Sequence, residues 1–200
     1  MAKTLEFLFD FASLNAYLAY RALPPILARA GAKLEIVPCL LGGLFKATGN
    51  QAPFVAFAGV KGKIDYEMLE IRRFVVKHGL TKYRMNPHFP VNTLNLMRGL
   101  VAAQELGHGE AYLEMGLQGL WEEGLNLADI GVLAARIDAA ALDSKLILET
   151  AQRPDIKQRL ADLTARAVER GAFGIPTFYV GEEMFFGKDR LAQVEEELLN

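Results

Sequence analysis

Leu5-Glu6-Phe7-Leu8-Phe9-Asp10-Phe11-Ala12-Ser13-Leu14-Asn15-Ala16 decides how this chain is read. Its first half is a mostly apolar run, which predicts a strand buried on at least one face. The run stops at Asp10. From Ser13 to Ala30 the pattern turns helical, with Gly31 as a stop signal and Pro24-Pro25 forcing a kink or a restart. Residues 33–40, KLEIVPCL, alternate again and read as a second strand. Strand, helix and strand in such close succession predict a right-handed βαβ unit with parallel strands.

Working outward, GGLFKATGNQAPF from Gly42 reads as a loop, and no strand pattern returns before residue 176. Helical patterns fill the interval at 65–78, 94–106, 110–122, 128–136, 143–152 and 154–170. GIPTFYVGEEMFFG then reads as two short strands joined through Gly181-Glu182-Glu183, a hairpin, before a last helix at 188–198. The order βαβ, helices, ββα predicts an α/β, thioredoxin-like fold with a large all-helical insertion. Residues 1–43 and 165–200 are the expected thioredoxin-like domain, and 44–164 the expected helical insertion. A multi-helix bundle flanked by incidental hairpins is the structural alternative.

Composition narrows the function. Apolar residues make up 52% and charged residues 23% of 200, with a net charge of −2. That balance gives no electrostatic reason to expect nucleic acid or an anionic membrane as partner. A single cysteine, Cys39, forms no intrachain disulfide, fits a reducing compartment and reads as a buried small apolar residue. The start MAKTLEFLFDFAS lacks the features of a signal peptide, and no apolar run approaches the ~18 residues of a membrane span. The expectation is a cytoplasmic protein. The histidines have no metal-ligand spacing, so no metal is expected.

Ser13 sits where a strand turns into a helix. Unpaired N–H groups and the helix macrodipole stabilise an anion there, a thiolate included. Thioredoxin-like redox enzymes carry a reactive cysteine at this place, within C-x-x-C. This chain has Ser13-Leu14-Asn15-Ala16, which excludes thiol–disulfide exchange at the site. A serine can instead hydrogen-bond the thiolate of a bound thiol; it reads equally as an ordinary helix cap. In Gly174-Ile175-Pro176-Thr177, a cis Pro176 would present the backbone of Ile175 to an extended peptide such as glutathione; a plain loop-to-strand junction reads as well. Lys188 and Asp189 open the last helix, where Asp189 either complements the dipole or binds an α-amino group. Lys46 and Asn50 fall in the loop after the second strand. Asn92 or Thr93, in the Pro-bracketed stretch NPHFPVNT ahead of a helix, reads as that helix's cap.

Together, Phe9-Asp10-Phe11-Ala12-Ser13, Gly49-Asn50, Asn86-Pro87-His88-Phe89-Pro90, Phe173-Gly174-Ile175-Pro176 and Phe186-Gly187-Lys188-Asp189-Arg190 resemble the 2-hydroxychromene-2-carboxylate isomerases. These are relatives of kappa-class glutathione transferases within the DsbA-like thioredoxin superfamily. The resemblance runs the full length and in order. It implies a cytoplasmic homodimer that binds glutathione and isomerises a small aromatic keto acid in aromatic (naphthalene) catabolism. By the same resemblance Ser13 faces the glutathione sulfur and Asn50 belongs to the active-site loop. Ile175, before Pro176, holds the cysteinyl unit, and Lys188 and Asp189 grip the γ-glutamyl end. Lys46 and Asn92, with Asn50, are carried over as substrate contacts. Two positions depart from the family: Leu14 stands where proline follows the serine, and Phe185-Phe186 stand where tryptophans are frequent. A kappa-type transferase or peroxidase would use the same residues. A disulfide oxidoreductase lacks its cysteines here, and a non-catalytic thioredoxin-fold binding module is the alternative from another class.

Overall fold

The computed structural model describes residues 3–200; Met1 and Ala2 of the expected first domain lie outside the described residues. β1 (Thr4–Phe9) is followed by α1 (Leu14–Ala22), α2 (Pro24–Ala30) and β2 (Lys33–Pro38). Helices come next: α3 (Leu41–Thr48), α4 (Pro53–Ala56), α5 (Lys63–Lys77), α6 (Leu94–Glu105), α7 (Gly109–Trp121), α8 (Ile130–Ala139), α9 (Ser144–Ala151) and α10 (Pro154–Glu169). Then follow β3 (Thr177–Val180), β4 (Glu183–Phe186), a 3-10 turn over Lys188–Arg190 and α11 (Leu191–Leu199). The sheet order is β2-β1-β3-β4, with β1 and β2 parallel and β3 antiparallel to both β1 and β4. This is the thioredoxin-like arrangement with helices inserted between β2 and β3. α10 runs unbroken through residues 164–165, where the sequence divides the two parts.

β1 is apolar because it is covered on both faces. Leu5, Phe7, Leu8 and Phe9 are buried, and Phe7 lies beside Ile36 of β2 and Phe178 of β3 in the register. An aromatic chain leads from the sheet into the helices: Phe7 to Phe9, Phe9 to Phe11, and Phe11 to Tyr112 of α7. Trp121 at the end of α7 donates its ring N–H to the Phe11 carbonyl at 3.1 Å. The helical block is thereby fastened to the segment just ahead of Ser13. Pro24 and Pro25 occupy the first positions of α2, where their missing N–H groups are harmless, so the expected break is a restart.

The structure departs from the sequence pattern at three places. The stretch after Gly42 is not a loop: it forms α3 and the short α4. Gly42-Gly43 masks α3, because glycine is a poor helix former. What stabilises it is remote: the Leu41 N–H donates to the Asp10 carboxylate at 2.8 Å, and a Cβ on Gly43 would stand 2.9 Å from Thr164 Cγ2 on α10. β2 ends at Pro38, two residues earlier than the alternation suggests. The final helix begins only at Leu191, since Lys188–Arg190 form the tighter 3-10 turn.

Gly116 on α7 lets the Phe11 ring approach; a Cβ there would lie 2.5 Å from Phe11 Cε1. That ring is held edge-on by Phe9 and cannot easily yield. A Gly116→Ala chain is expected to lose about 1–3 kcal/mol in urea unfolding, despite alanine's better helix propensity. Unchanged or raised stability would contradict the close packing.

Candidate active site

Ser13 is the N-cap of α1, in extended backbone geometry. Its Oγ accepts the Ala16 N–H at 3.2 Å and donates to the Ile175 carbonyl at 2.9 Å. Capping is therefore half of what the hydroxyl does; its proton is spent on a residue 162 positions away. Among the described residues, the N–H groups of Leu14 and Asn15 donate to nothing. Leu14 thus carries a free donor, which a proline there would lack, at the electropositive helix start. Asn15 also brings a buried amide oxygen, Oδ1, that has no hydrogen-bond partner among the described residues.

The Ile175-Pro176 peptide bond is cis, and Ile175 and Pro176 are both buried. The Ile175 carbonyl faces Ser13, while its N–H finds no acceptor among the described residues. Neighbouring bonds fix this loop: Thr177 Oγ1 donates to the Gly174 carbonyl at 2.8 Å, and the Gly187 N–H to the Pro176 carbonyl at 2.9 Å. Asn50 Nδ2 donates to the Phe173 carbonyl at 2.8 Å, tying the end of α3 to the same loop. Gly174 lies against the Phe186 ring, which a Cβ would meet at 2.8 Å. The fold thus brings Ser13, Asn50, Ile175 and Pro176 together.

Lys188 and Asp189 lie in the 3-10 turn, which packs against α1. Lys188 is buried, an unusual place for lysine. Its ammonium pairs with the exposed Asp189 carboxylate at 2.6 Å and rests 5.0 Å from the Phe74 ring centroid of α5. Lys46 is not a loop residue: it lies in α3, one helical turn beyond Gly42, and is exposed. It is not among the residues that line the cavity beside Asp10.

A cavity of about 370 Å³ opens beside Asp10 and Ala12. Its walls are mostly apolar and aromatic, with Leu40, Phe45, Phe54, Phe89 and Val91 among them. Asp10, Asn92 and Thr93 supply its polar side chains, and no lysine, arginine or histidine lines it. Asn92 Oδ1 accepts the Leu94 N–H, closing a turn just ahead of α6 whose N-cap is Thr93, and the same residue is part of the cavity wall. Asp10 was not singled out by the sequence pattern, and it is the hub. Oδ1 accepts the Ala12 N–H at 2.9 Å and the Thr93 hydroxyl at 2.7 Å, and Oδ2 accepts the Leu41 N–H. Burial pushes the carboxyl pKa up, against these three hydrogen bonds, which pull it down. The signal available in the sequence was the acid itself, closing an otherwise apolar strand.

A mixed four-stranded sheet whose first helix starts at a residue facing a cis-proline loop is the DsbA-like thioredoxin arrangement. The family model of the DSBA-like thioredoxin domain matches residues 4–199, and the chain belongs to that family. It is 28% identical over 202 residues to the 2-hydroxychromene-2-carboxylate isomerase of Sphingobium xenophagum, with 100% of each chain covered. It is 28% identical over 204 residues to glutathione S-transferase kappa 1 of Rattus norvegicus, over 94% of this chain and 88% of that one. A solved structure of 2-hydroxychromene-2-carboxylate isomerase is similar with a TM-score of 0.82 at 25% identity, over 96% of this chain and 93% of the other.

No group of three or more potential metal ligands occurs among the described residues, and no described helix is long and apolar enough to cross a membrane. Cys39 is fully buried, and desolvation pushes its thiol up to about 12, with the charge of Asp10 adding to the shift. Ellman's reagent at neutral pH is therefore expected to leave Cys39 unmodified in the native protein and to titrate one thiol in denaturant. Rapid native labelling would contradict this burial.

Proposed function

We propose that this protein is a glutathione-dependent isomerase acting on 2-hydroxychromene-2-carboxylate and trans-o-hydroxybenzylidenepyruvate, or on a close aromatic analogue. The observation that carries this reading is the Ser13 hydroxyl, paired with the Ile175 carbonyl beside two unpaired N–H groups of a helix start. These residues fit a thiol-bearing tripeptide. The open N–H of Ile175 and its carbonyl are the donor and acceptor of β-strand addition. A peptide amide donating to that carbonyl would replace Ser13 there and free the hydroxyl proton for sulfur. The Leu14 and Asn15 N–H groups and the α1 dipole then favour the ionised thiol. Lys188 and Asp189 would meet the γ-glutamyl end, Lys188 with an ammonium and Asp189 with an exposed carboxylate. Asn50 would act by holding the loop before Pro176.

Glutathione held there would supply a thiolate nucleophile for reversible addition to a conjugated double bond. The chain's own contribution is to keep the sulfur ionised, to shelter the aromatic part of the substrate in the cavity, and to exclude water from it. Asn92 would contact the substrate from the cavity wall. The same reading includes a cytoplasmic homodimer serving aromatic catabolism. The exposed Phe54, Val55, Phe57 and Val60 around α4 offer an apolar surface for the second subunit. The match to the rat kappa transferase favours one second reading, conjugation that consumes glutathione.

Progress curves with substoichiometric glutathione separate the two: complete conversion with glutathione undiminished is expected, and depletion would favour the transferase. Ser13→Ala is expected to lower kcat on the order of 10²-fold at saturating glutathione. It should also lose about 1 kcal/mol of stability from the missing cap. A stability loss with full activity would reduce Ser13 to a cap.

A further inference from the structure

Asp10 does more in this geometry than tie loops together. It is a buried acid that lines the cavity, and no basic side chain shares that lining. Its two oxygens are unequally served. Oδ1 receives two donors, from Ala12 and Thr93, whereas Oδ2 receives only the Leu41 N–H. A carboxylate oxygen accommodates two donors, so one acceptor position stays open on a group that borders a mostly apolar space. A remaining acceptor position on a buried carboxylate favours a donor from whatever fills the cavity.

The surrounding walls say what kind of donor arrives. Phe45, Phe54 and Phe89 present aromatic surface, and the Phe54 and Phe89 rings stand edge-to-face at 5.4 Å. A flat apolar body carrying one hydroxyl matches them. A carboxylate does not, because it would meet Asp10 without any lining cation to offset the repulsion.

We propose that Asp10 is a specificity-determining residue that accepts the hydroxyl of a hydroxyaryl group in this cavity. The substrate's own carboxylate is thereby directed out of the cavity. The inference rests on the proposed function only in placing the aromatic part of the substrate in this cavity, and it needs no glutathione to be tested.

The test uses phenol, toluene and benzoate, added separately to the glutathione-free protein and followed by amide NMR shifts of Gly42, Gly43 and Thr93. Phenol is expected to bind on the order of tenfold to hundredfold more tightly than toluene, although toluene is the more hydrophobic. Benzoate is expected to bind most weakly. Asp10→Asn turns the open acceptor into a donor, and with circular dichroism and melting confirming its fold, it is expected to bring phenol and toluene near parity. Toluene equal to phenol, benzoate tighter than phenol, or full discrimination in a folded Asp10→Asn protein would each overturn the proposal. Should that variant not fold, the three affinities of the unaltered protein decide. Absent glutathione binding with intact phenol preference would sink the proposed function and leave this inference standing.

Discussion

The carboxylate of Asp10 joins three segments that are far apart in sequence: the turn into α1, the start of α3 and the approach to α6. A buried acid without a cationic partner is tolerated only when donors surround it, and here two backbone N–H groups and one hydroxyl do so. The constraint runs both ways. The acid needs all three segments in place, and each segment takes its position from the acid. The Asp10 carbonyl also accepts the Ser13 N–H at 3.1 Å, so the same residue fixes where the catalytic candidate stands. Cavity and helix start are thus built from one anchoring point.

Around that anchor the candidate site divides into two chemistries. On one side lie polar backbone groups: the open α1 start, the Ile175 edge and the loop held by Asn50. On the other lies an aromatic cavity with a single acid. The proposed reaction between a thiol-bearing peptide and an aromatic acceptor would use both, with Asp10 and Ala12 of the cavity lining just ahead of Ser13 in the chain. Under the proposed function, the hydroxyl's bond to Ile175 makes binding a peptide and releasing the serine proton one event rather than two. The same bond spares the fold a buried unpaired carbonyl.

Much of the fold was legible because its signals are local. LEFLF, the Pro24-Pro25 break, Gly31 and the GEE turn each act within a few residues, and the β1-α1-α2-β2 and β3-β4 units follow from them. α3 was illegible because its capping acid lies 31 residues upstream and its packing partner, Thr164, lies on α10. Within the site, Ser13, Asn50, Ile175 and Pro176 were recognisable as pieces, but the bonds uniting them span more than a hundred residues. Lys188 departs from the setting expected of a lysine, whereas Lys46 does not. Lysines are read as surface residues by default, yet Lys188 is covered by α5 while Lys46 is open to solvent. Phe45 and Phe54 went unnoticed as walls because the helices that carry them were read as loop.

The account depends on a helix start and one hydroxyl keeping a bound sulfur ionised. Its most direct measurement is the thiolate absorbance of protein-bound glutathione as pH is varied, with glutathione-free protein as the blank. The bound thiol is expected to titrate at least one unit below the ordinary thiol value of about 8.5. Titration at or above that value in a saturated complex would contradict it.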